Sequence, residues 1–165
     1  MNPIEEADKI AEELGDVVFV GAVAVMLHLG TRHRRTQDID LAMVTKLSNE
    51  EMETRGYRKY YEKGKDVIYT PRGIKVGIYT KDVSGIRIET VYNTSVSFGG
   101  KNRTIKVACV EVLLVAKHRA ARPQDIEDLQ NLCKNKGKSI NWTLLEEIAE
   151  ATEISEIKTV VNAFI

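Results

Sequence analysis

The apolar residues divide the chain into a first part, where helix and strand patterns alternate, and a second part that is helical. In the first part, some segments repeat apolar residues at helical spacing and others are short runs rich in β-branched residues. These patterns predict, in order, a helix over 4–14, a strand over 16–20, a helix over 22–29, a strand over 38–44, a short helix over 49–55, a hairpin of strands 66–70 and 74–79, and two or three strands between 86 and 107.

From Cys109 onward the apolar pattern is helical throughout. It predicts helices over 110–121 and 123–132, a third helix capped by Asn141, and a fourth that ends at Ile165. We therefore expect an α/β core over 1–108 and a helical segment over 109–165 that packs on it as one compact unit. The expected fold class is α+β.

Composition and charge narrow the classes of function. The 165 residues carry 24 Lys+Arg and 24 Asp+Glu, so the formal net charge is zero. This balance excludes binding of nucleic acid through a high overall positive charge. No apolar run approaches the roughly 20 residues that span a bilayer, and the acidic, polar N-terminus differs from a signal peptide. Cys109 and Cys133 are too few for a disulfide framework and too far apart for a zinc site. We expect a cytoplasmic protein with reduced thiols and no membrane association.

A pair of aspartates is the strongest candidate for chemistry. Asp38 and Asp40 are two residues apart on a predicted strand, so both carboxylates lie on one face. Ile39 and Leu41 then point to the opposite, buried face. Two neighbouring carboxylates can hold a divalent cation, and a solvated strand end is the alternative explanation.

A small-residue turn precedes the aspartates and could hold an anion. A strand, the pair Gly21-Ala22 and a helix follow one another, an arrangement that points backbone N–H groups at a phosphate. Close packing of the helix on the strand is the alternative. A basic loop, containing Arg32, His33, Arg34 and Arg35, lies between the turn and the aspartates. A triphosphate at the turn and Mg²⁺ at the aspartates would suit nucleotidyl transfer.

Two separate motifs resemble the polymerase-beta-type nucleotidyltransferase superfamily. The first runs from Val20-Gly21-Ala22 to Asp38-Ile39-Asp40-Leu41. Within it, Arg34-x-Thr36-x-Asp38-Ile39-Asp40-Leu41 resembles the variant found in the branch that contains the AbiEii-type toxins. The second motif, Lys117 followed by Arg122-x-x-Asp125-x-x-Asp128-Leu129, is similar to the helical motif of that branch. The two motifs occur in the expected order and together span residues 16–132.

The resemblance implies a fold, an activity and a role for each matched residue. It implies a mixed sheet flanked by helices and Mg²⁺- or Mn²⁺-dependent transfer of a nucleotide from an NTP to an RNA or protein acceptor. Asp38 and Asp40 would bind the metal, and Lys117 would contact phosphate or order the nucleotide site. The other residues that the resemblance places at the nucleotide are Gly21, Ala22, Arg34, Thr36 and Asp125.

Some of these matched residues also have structural explanations. Lys117, in a mostly apolar helix, either extends its amine to the surface or points it at a partner. Asp125 and Asp128 lie in the first turns after Pro123, where a carboxylate also suits the helix dipole.

The chain departs from the superfamily pattern at two positions. Gly77 stands where a third carboxylate is expected, and a glycine has no side chain to bind a metal or accept a proton. Asp82, and Glu89 on an expected following strand, are the alternative candidates. Ala22 replaces the usual Gly or Ser and offers phosphate no hydroxyl. The alternative hypothesis is therefore a catalytically impaired member that binds a nucleotide or a partner as a regulator, within a toxin–antitoxin pair for example.

A cluster of tyrosines and basic residues carries a further hypothesis. Tyr57, Tyr60 and Tyr61 are interleaved with Arg58, Lys59 and Lys63. Such a segment can stack nucleic-acid bases, or it can cover a hydrophobic edge.

Overall fold

The computed structural model describes residues 1–30, 36, 38–101 and 103–165. Its elements, in chain order, are α1 (Pro3–Leu14), β1 (Val17–Val20), α2 (Gly21–Leu29), β2 (Asp38–Met43), α3 (Asn49–Thr54), β3 (Arg58–Glu62), β4 (Lys65–Tyr69), β5 (Lys75–Tyr79), β6 (Asp82–Val83), β7 (Ile86–Arg87), α4 (Ile88–Asn93), β8 (Val96–Gly99), β9 (Thr104–Val107), α5 (Val110–Ala120), α6 (Pro123–Lys136), a 3₁₀ turn (Gly137–Ser139), α7 (Trp142–Ile148) and α8 (Ala151–Asn162).

Seven strands form one mixed sheet in the order β3-β4-β5-β2-β1-β9-β8, and β6 pairs only with β7 among the described strands. The central strand β2 runs antiparallel to β1 and parallel to β5. In this register Asp38 lies beside Lys75, and Asp40 lies beside Gly77. The sheet therefore brings the two aspartates next to the strand on which a third carboxylate was expected.

The elements with clear sequence signals form as predicted. The side chain of Asn2 accepts hydrogen bonds from the N–H groups of Ile4 and Glu5 and begins α1. Ser48 and Glu51 make a reciprocal capping box that begins α3. The hairpin of β4 and β5 is antiparallel, and the predicted α+β class with a mixed sheet flanked by helices is confirmed.

Two segments differ from the sequence prediction. Residues 88–93, expected in a strand, form the helix α4, which buries Ile88 and Val91 one turn apart on its inner side. Glu89 therefore lies on a helix, and its placement on a strand was wrong. The strand β3 was not predicted from the sequence. All five of its residues are exposed, so the segment shows no alternation of apolar and polar residues, and its pairing with β4 makes it a strand.

One hydrophobic core runs through the described residues from Ile4 to Val161. The centre of α5 is buried in it, and α5 packs on α2, α6, α7 and α8. The C-terminal helices thus share a core with the sheet, while the proposed division of the chain at residue 108 stays a prediction. No described helix combines the length and apolar character that crossing a membrane requires.

Candidate functional site

A cleft of about 530 Å³ lies between the centre of the sheet and the helices α2, α5 and α6. Every predicted site residue that the structure describes lines this cleft. They are Gly21, Ala22, Thr36, Asp38, Asp40, Lys117 and Asp125. Arg34, which the resemblance places at the nucleotide, lies outside the described residues, as do Arg32, His33 and Arg35. Residues separated by about a hundred positions in the sequence therefore meet at one place.

The carboxylates of β2 are arranged as the strand periodicity predicts. Asp38 is exposed and Asp40 is half-buried, whereas Ile39 and Leu41 between and after them are buried. The hydroxyl of Thr36 donates a 2.8 Å hydrogen bond to the backbone carbonyl of Asp38. This bond fixes the start of the strand that carries both carboxylates.

The Asp40 carboxylate lies between two glycines. A Cβ atom added to Gly77 would overlap Asp40 Oδ1, and one added to Gly21 would lie 3.1 Å from Asp40 Oδ2. Gly21 also has a φ of +61°, which a residue with a side chain rarely adopts. The absence of side chains at both positions therefore makes the room that the Asp40 carboxylate occupies.

The charge of Asp40 is disfavoured in this position. Burial raises the pKa of Asp40, and the neighbouring Asp38 raises it further, against the opposing influence of Lys117, Arg122 and Lys75. A cation bound between the two carboxylates would relieve both effects. A positive charge at this position would therefore stabilise the ionised form of Asp40.

The N-terminus of α2 is also directed into the cleft. Val20, Gly21 and Ala22 line the cleft, and no side chain among the described residues caps the first turn of this nine-residue helix. The backbone N–H groups at such a helix start have no partner within the helix and attract anions. Because Ala22 has no hydroxyl, only the backbone N–H groups of this turn could donate a hydrogen bond to an anion.

Lys117 points its amine at two aspartates of α6. Its Nζ is 3.1 Å from Asp125 Oδ1 and 2.9 Å from Asp128 Oδ2. All three residues are buried. The amine therefore does not extend to the surface, and its charge is compensated inside the protein.

Asp125 also binds Arg122 and so joins the ion pairs to the cleft. Arg122 Nε donates to Asp125 Oδ2 over 2.6 Å, and the Arg122 backbone N–H donates to the same oxygen. Burial raises the pKa of Asp125, but the hydrogen bonds from Arg122 and Lys117 outweigh burial and hold the pKa below its usual value. Asp125 thus stays ionised and fixes the direction of the arginine.

Arg122 and Tyr79 also line the cleft, although their sequence positions did not mark them as site residues. Arg122 lines the cleft with a side chain that is 77% exposed, so its guanidinium is accessible to a ligand. Tyr79 follows Gly77 by two residues on β5 and lies on the same side of the sheet. The alternation along β5, starting from Gly77, was the signal that could have pointed to Tyr79.

The alternative candidates for a third carboxylate do not line the cleft. Asp82 Oδ1 accepts a 3.0 Å hydrogen bond from the N–H of Gly85 in the turn between β6 and β7. Glu89 lies in the first turn of α4. Within the described ranges, no group of three or more His, Cys, Asp or Glu residues is placed to hold a metal ion.

Comparison with known proteins supports the same fold. The chain is similar to an antigenic nucleotidyltransferase-like protein from Paracoccidioides brasiliensis, with 11% identity, a TM-score of 0.61, and coverage of 94% of this chain and 84% of that one. It is also similar to the antibiotic-resistance factor ANT(2'')-Ia, with 14% identity, a TM-score of 0.54, and coverage of 98% and 90%. At these identities the likeness shows the fold alone. No curated protein matches the chain.

The family comparison covers nearly the whole chain. A model described as "Nucleotidyltransferase of unknown function (DUF6036)" matches residues 1–163. The predicted superfamily is thereby confirmed, whereas the AbiEii-type branch stays a prediction. The chain belongs to this family of nucleotidyltransferases of unknown function.

Proposed function

We propose that the cleft binds a nucleoside triphosphate with Mg²⁺ and that the protein transfers the nucleotidyl group to an acceptor hydroxyl of an RNA or protein, with pyrophosphate as the leaving group. The observation that carries the proposal is that the Asp38/Asp40 pair and the N-terminus of α2 face the same cleft. A carboxylate pair suits a cation, and a helix N-terminus suits a phosphate. Membership of a nucleotidyltransferase family supports this assignment.

The donor atoms in the cleft fit Mg²⁺ or Mn²⁺. Asp38 and Asp40 offer only carboxylate oxygens, and their mutual repulsion favours a bound cation. Mg²⁺ is commonly held by one or two carboxylates, with substrate phosphates and water completing its shell. These two aspartates would hold the ion, and the ion would neutralise charge on the phosphate oxygens during transfer.

The remaining cleft residues would bind and orient the nucleotide. The N–H groups of Gly21 and Ala22 would donate to phosphate oxygens, with the positive end of the helix dipole behind them. The exposed guanidinium of Arg122 would contact a second phosphate oxygen. Lys117 acts as a positioning residue, because its bonds to Asp125 and Asp128 hold α6, and with it Arg122, against α5.

A second candidate function follows from the strand beside Asp40. Gly77 offers no carboxylate to activate the acceptor hydroxyl, and Asp40 itself fills the space next to it. A member of this kind would bind the nucleotide or a partner as a regulator and transfer slowly or not at all. The resemblance to the AbiEii-type branch makes a toxin–antitoxin pair the setting to examine for either candidate.

A transfer assay with labelled NTPs separates the two candidates. Purified protein is incubated with each NTP carrying label in its α-phosphate, with Mg²⁺ or Mn²⁺, and with total RNA or cell protein as acceptor. We expect label in an acceptor with wild type and none with Asp40→Asn. Equal transfer by both proteins would contradict the assignment of Asp40. Nucleotide binding without transfer would favour the regulator, and Gly77→Asp would then gain activity only if Asp40 rotates away from the new side chain.

A further inference from the structure

The strand β3 forms an open edge of the sheet. It stands at one end of the strand order, and all five of its residues, Arg58 to Glu62, are exposed. Tyr60 is 50% exposed and Tyr61 is 75% exposed, so both rings present apolar surface to the solvent. The strand contains no proline, and none of the described residues covers its outer side. Such an edge is a template for pairing with another strand.

The hairpin turn decides which backbone groups of β3 face outward. The turn residues Lys63 and Gly64 have φ values of 50° and 82°, which is the conformation of a two-residue type I′ turn. In such a turn the carbonyl of Glu62 accepts from the N–H of Lys65. Because bonded positions alternate along an antiparallel ladder, Arg58, Tyr60 and Glu62 bond to β4. The N–H and C=O groups of Lys59 and Tyr61 therefore point away from the sheet.

We propose that β3 pairs antiparallel with β3 of a second copy of this chain, with Tyr60 on the two-fold axis. In this register Lys59 lies opposite the partner's Tyr61, and both residues have outward-facing backbone groups that bond each other. Arg58 then lies opposite the partner's Glu62, and Glu62 opposite the partner's Arg58. The backbone pattern thus allows this register, and the side-chain charges favour it.

The neighbouring registers are unfavourable. Residues whose backbone groups face outward must lie opposite one another. The partner strand can therefore slide only in steps of two residues. One such step places Lys59 opposite the partner's Lys59, and the other places it opposite the partner's Lys63. Like charges directly opposite each other destabilise a strand pair. Only the register centred on Tyr60 joins opposite charges and keeps the lysines apart.

The surface around Tyr60 is prepared for such contact. Tyr60 and Tyr69 pack edge to face with their ring centres 5.7 Å apart, and the Tyr69 hydroxyl donates to Glu62 Oε2 over 3.1 Å. These contacts hold Glu62 on the face where the partner's Arg58 would lie. Arg58 has no ion-pair partner among the residues that the structure describes. Pairing would therefore give Arg58 a counter-ion and bring the exposed Tyr60 rings of the two copies together.

The same observations disfavour a nucleic acid as the occupant. Tyr57, the first tyrosine of the segment, is buried, and its hydroxyl donates to Glu13. It is therefore not part of a stacking surface. Glu62 lies among the remaining exposed side chains, and Asp66 binds the amine of Lys59 over 3.2 Å. These carboxylates offset part of the positive charge that would attract a phosphate backbone.

Sedimentation equilibrium on the full chain over a range of concentrations tests the proposal. We expect wild type to approach twice the 18.5 kDa of one chain as concentration rises. Arg58→Glu or Glu62→Arg alone would raise the dimer dissociation constant by about tenfold, because two cross-strand ion pairs become repulsive. The double variant would restore association. An equimolar mixture of the two single variants would also associate, because every facing pair then has opposite charges.

Controls keep these outcomes interpretable. Arg87→Glu and Glu127→Arg reverse exposed charges elsewhere and should leave association unchanged. Thermal unfolding would establish that each variant is folded. A wild type that stays monomeric at every concentration overturns the proposal, and so does a dimer that neither single variant weakens. An RNA that binds the monomer through Tyr60 and Tyr61 would also overturn it. None of these outcomes depends on the nucleotide cleft.

Discussion

The buried ion pairs of Lys117 allow a quantitative prediction about what holds the cleft together. In Lys117→Met a side chain of similar length and no charge replaces the lysine, and the carboxylates of Asp125 and Asp128 stay buried. Their side chains are only 2% and 4% exposed. Removing one partner of a buried pair costs about 3–5 kcal/mol, because an uncompensated charge is left without water. Arg122 and Gln124 still donate to these carboxylates, so we expect a loss of about 3 kcal/mol, at the lower end.

Urea and thermal unfolding of the variant measure this loss. For a chain of this size, 3 kcal/mol corresponds to a fall in Tm of about 6–12 °C. Combining Lys117→Met with Asp128→Asn should recover part of the loss, because a neutral amide needs no counter-ion. Lys134→Met, at an exposed position of α6, is the matched control and should change stability by less than about 0.5 kcal/mol.

A small effect would refute this reasoning. If Lys117→Met lost less than about 1 kcal/mol, the ion pairs would behave like exposed ones, and the amine would be available to a ligand. The expected large loss has a practical consequence for any assay of transfer. An inactive Lys117→Met protein must first be shown to be folded before Lys117 is assigned a direct role in catalysis.

Two further predictions concern Asp40 and the C-terminal helices. Gly77→Ala should weaken Mg²⁺-dependent nucleotide binding in a calorimetric titration, because the new Cβ displaces the Asp40 carboxylate. Gly99→Ala, whose Cβ would meet nothing within 4 Å, is the control, and equal binding by both variants would contradict the assignment. Hydrogen bonding from Arg119 lowers the pKa of Glu153 from 4.5 to about 2. Ionised Glu153 therefore stabilises the fold above pH 4.5, and this contribution is lost as the pH falls towards 2. Glu153→Gln should therefore lose less Tm than wild type between pH 4.5 and pH 2. Tm curves of the two proteins that stay parallel over this range would exclude the Glu153–Arg119 ion pair as the cause of the acid destabilisation.

The sequence predicted the site better than it predicted the sheet edges. Asp38 and Asp40 could be placed on one face by strand periodicity alone, and two distant motifs linked them to Lys117 and Asp125. The edge strand β3 carries no burial pattern, so only its pairing with β4 makes it a strand. The helix α4 was hidden because its short, β-branched apolar run also suits a strand.

The missed cleft residues depended on contacts that sequence order does not contain. Tyr79 reaches the site because β5 lies parallel to β2 with Gly77 beside Asp40, a register set by the whole sheet. In the sequence, Arg122 before Pro123 indicates only the start of a helix. Its bond to Asp125 turns its side chain towards the cleft. Lys117 meets Asp125 and Asp128 because α5 packs on α6.

The most direct test of the central claim is thermal unfolding with each NTP, with and without Mg²⁺ or Mn²⁺, for wild type and Asp40→Asn. Ligand at about 100 times its Kd adds roughly 2.7 kcal/mol of stability, a Tm rise of about 5–11 °C. We expect this rise in wild type and in the control Asp16→Asn, at an exposed position outside the cleft, only when metal is present. Asp40→Asn should lose the rise yet be at least as stable without ligand, because burial and Asp38 both disfavour a charge there. No metal-dependent rise with any NTP, or the same rise in Asp40→Asn, would contradict the assignment of the cleft as a metal–nucleotide site.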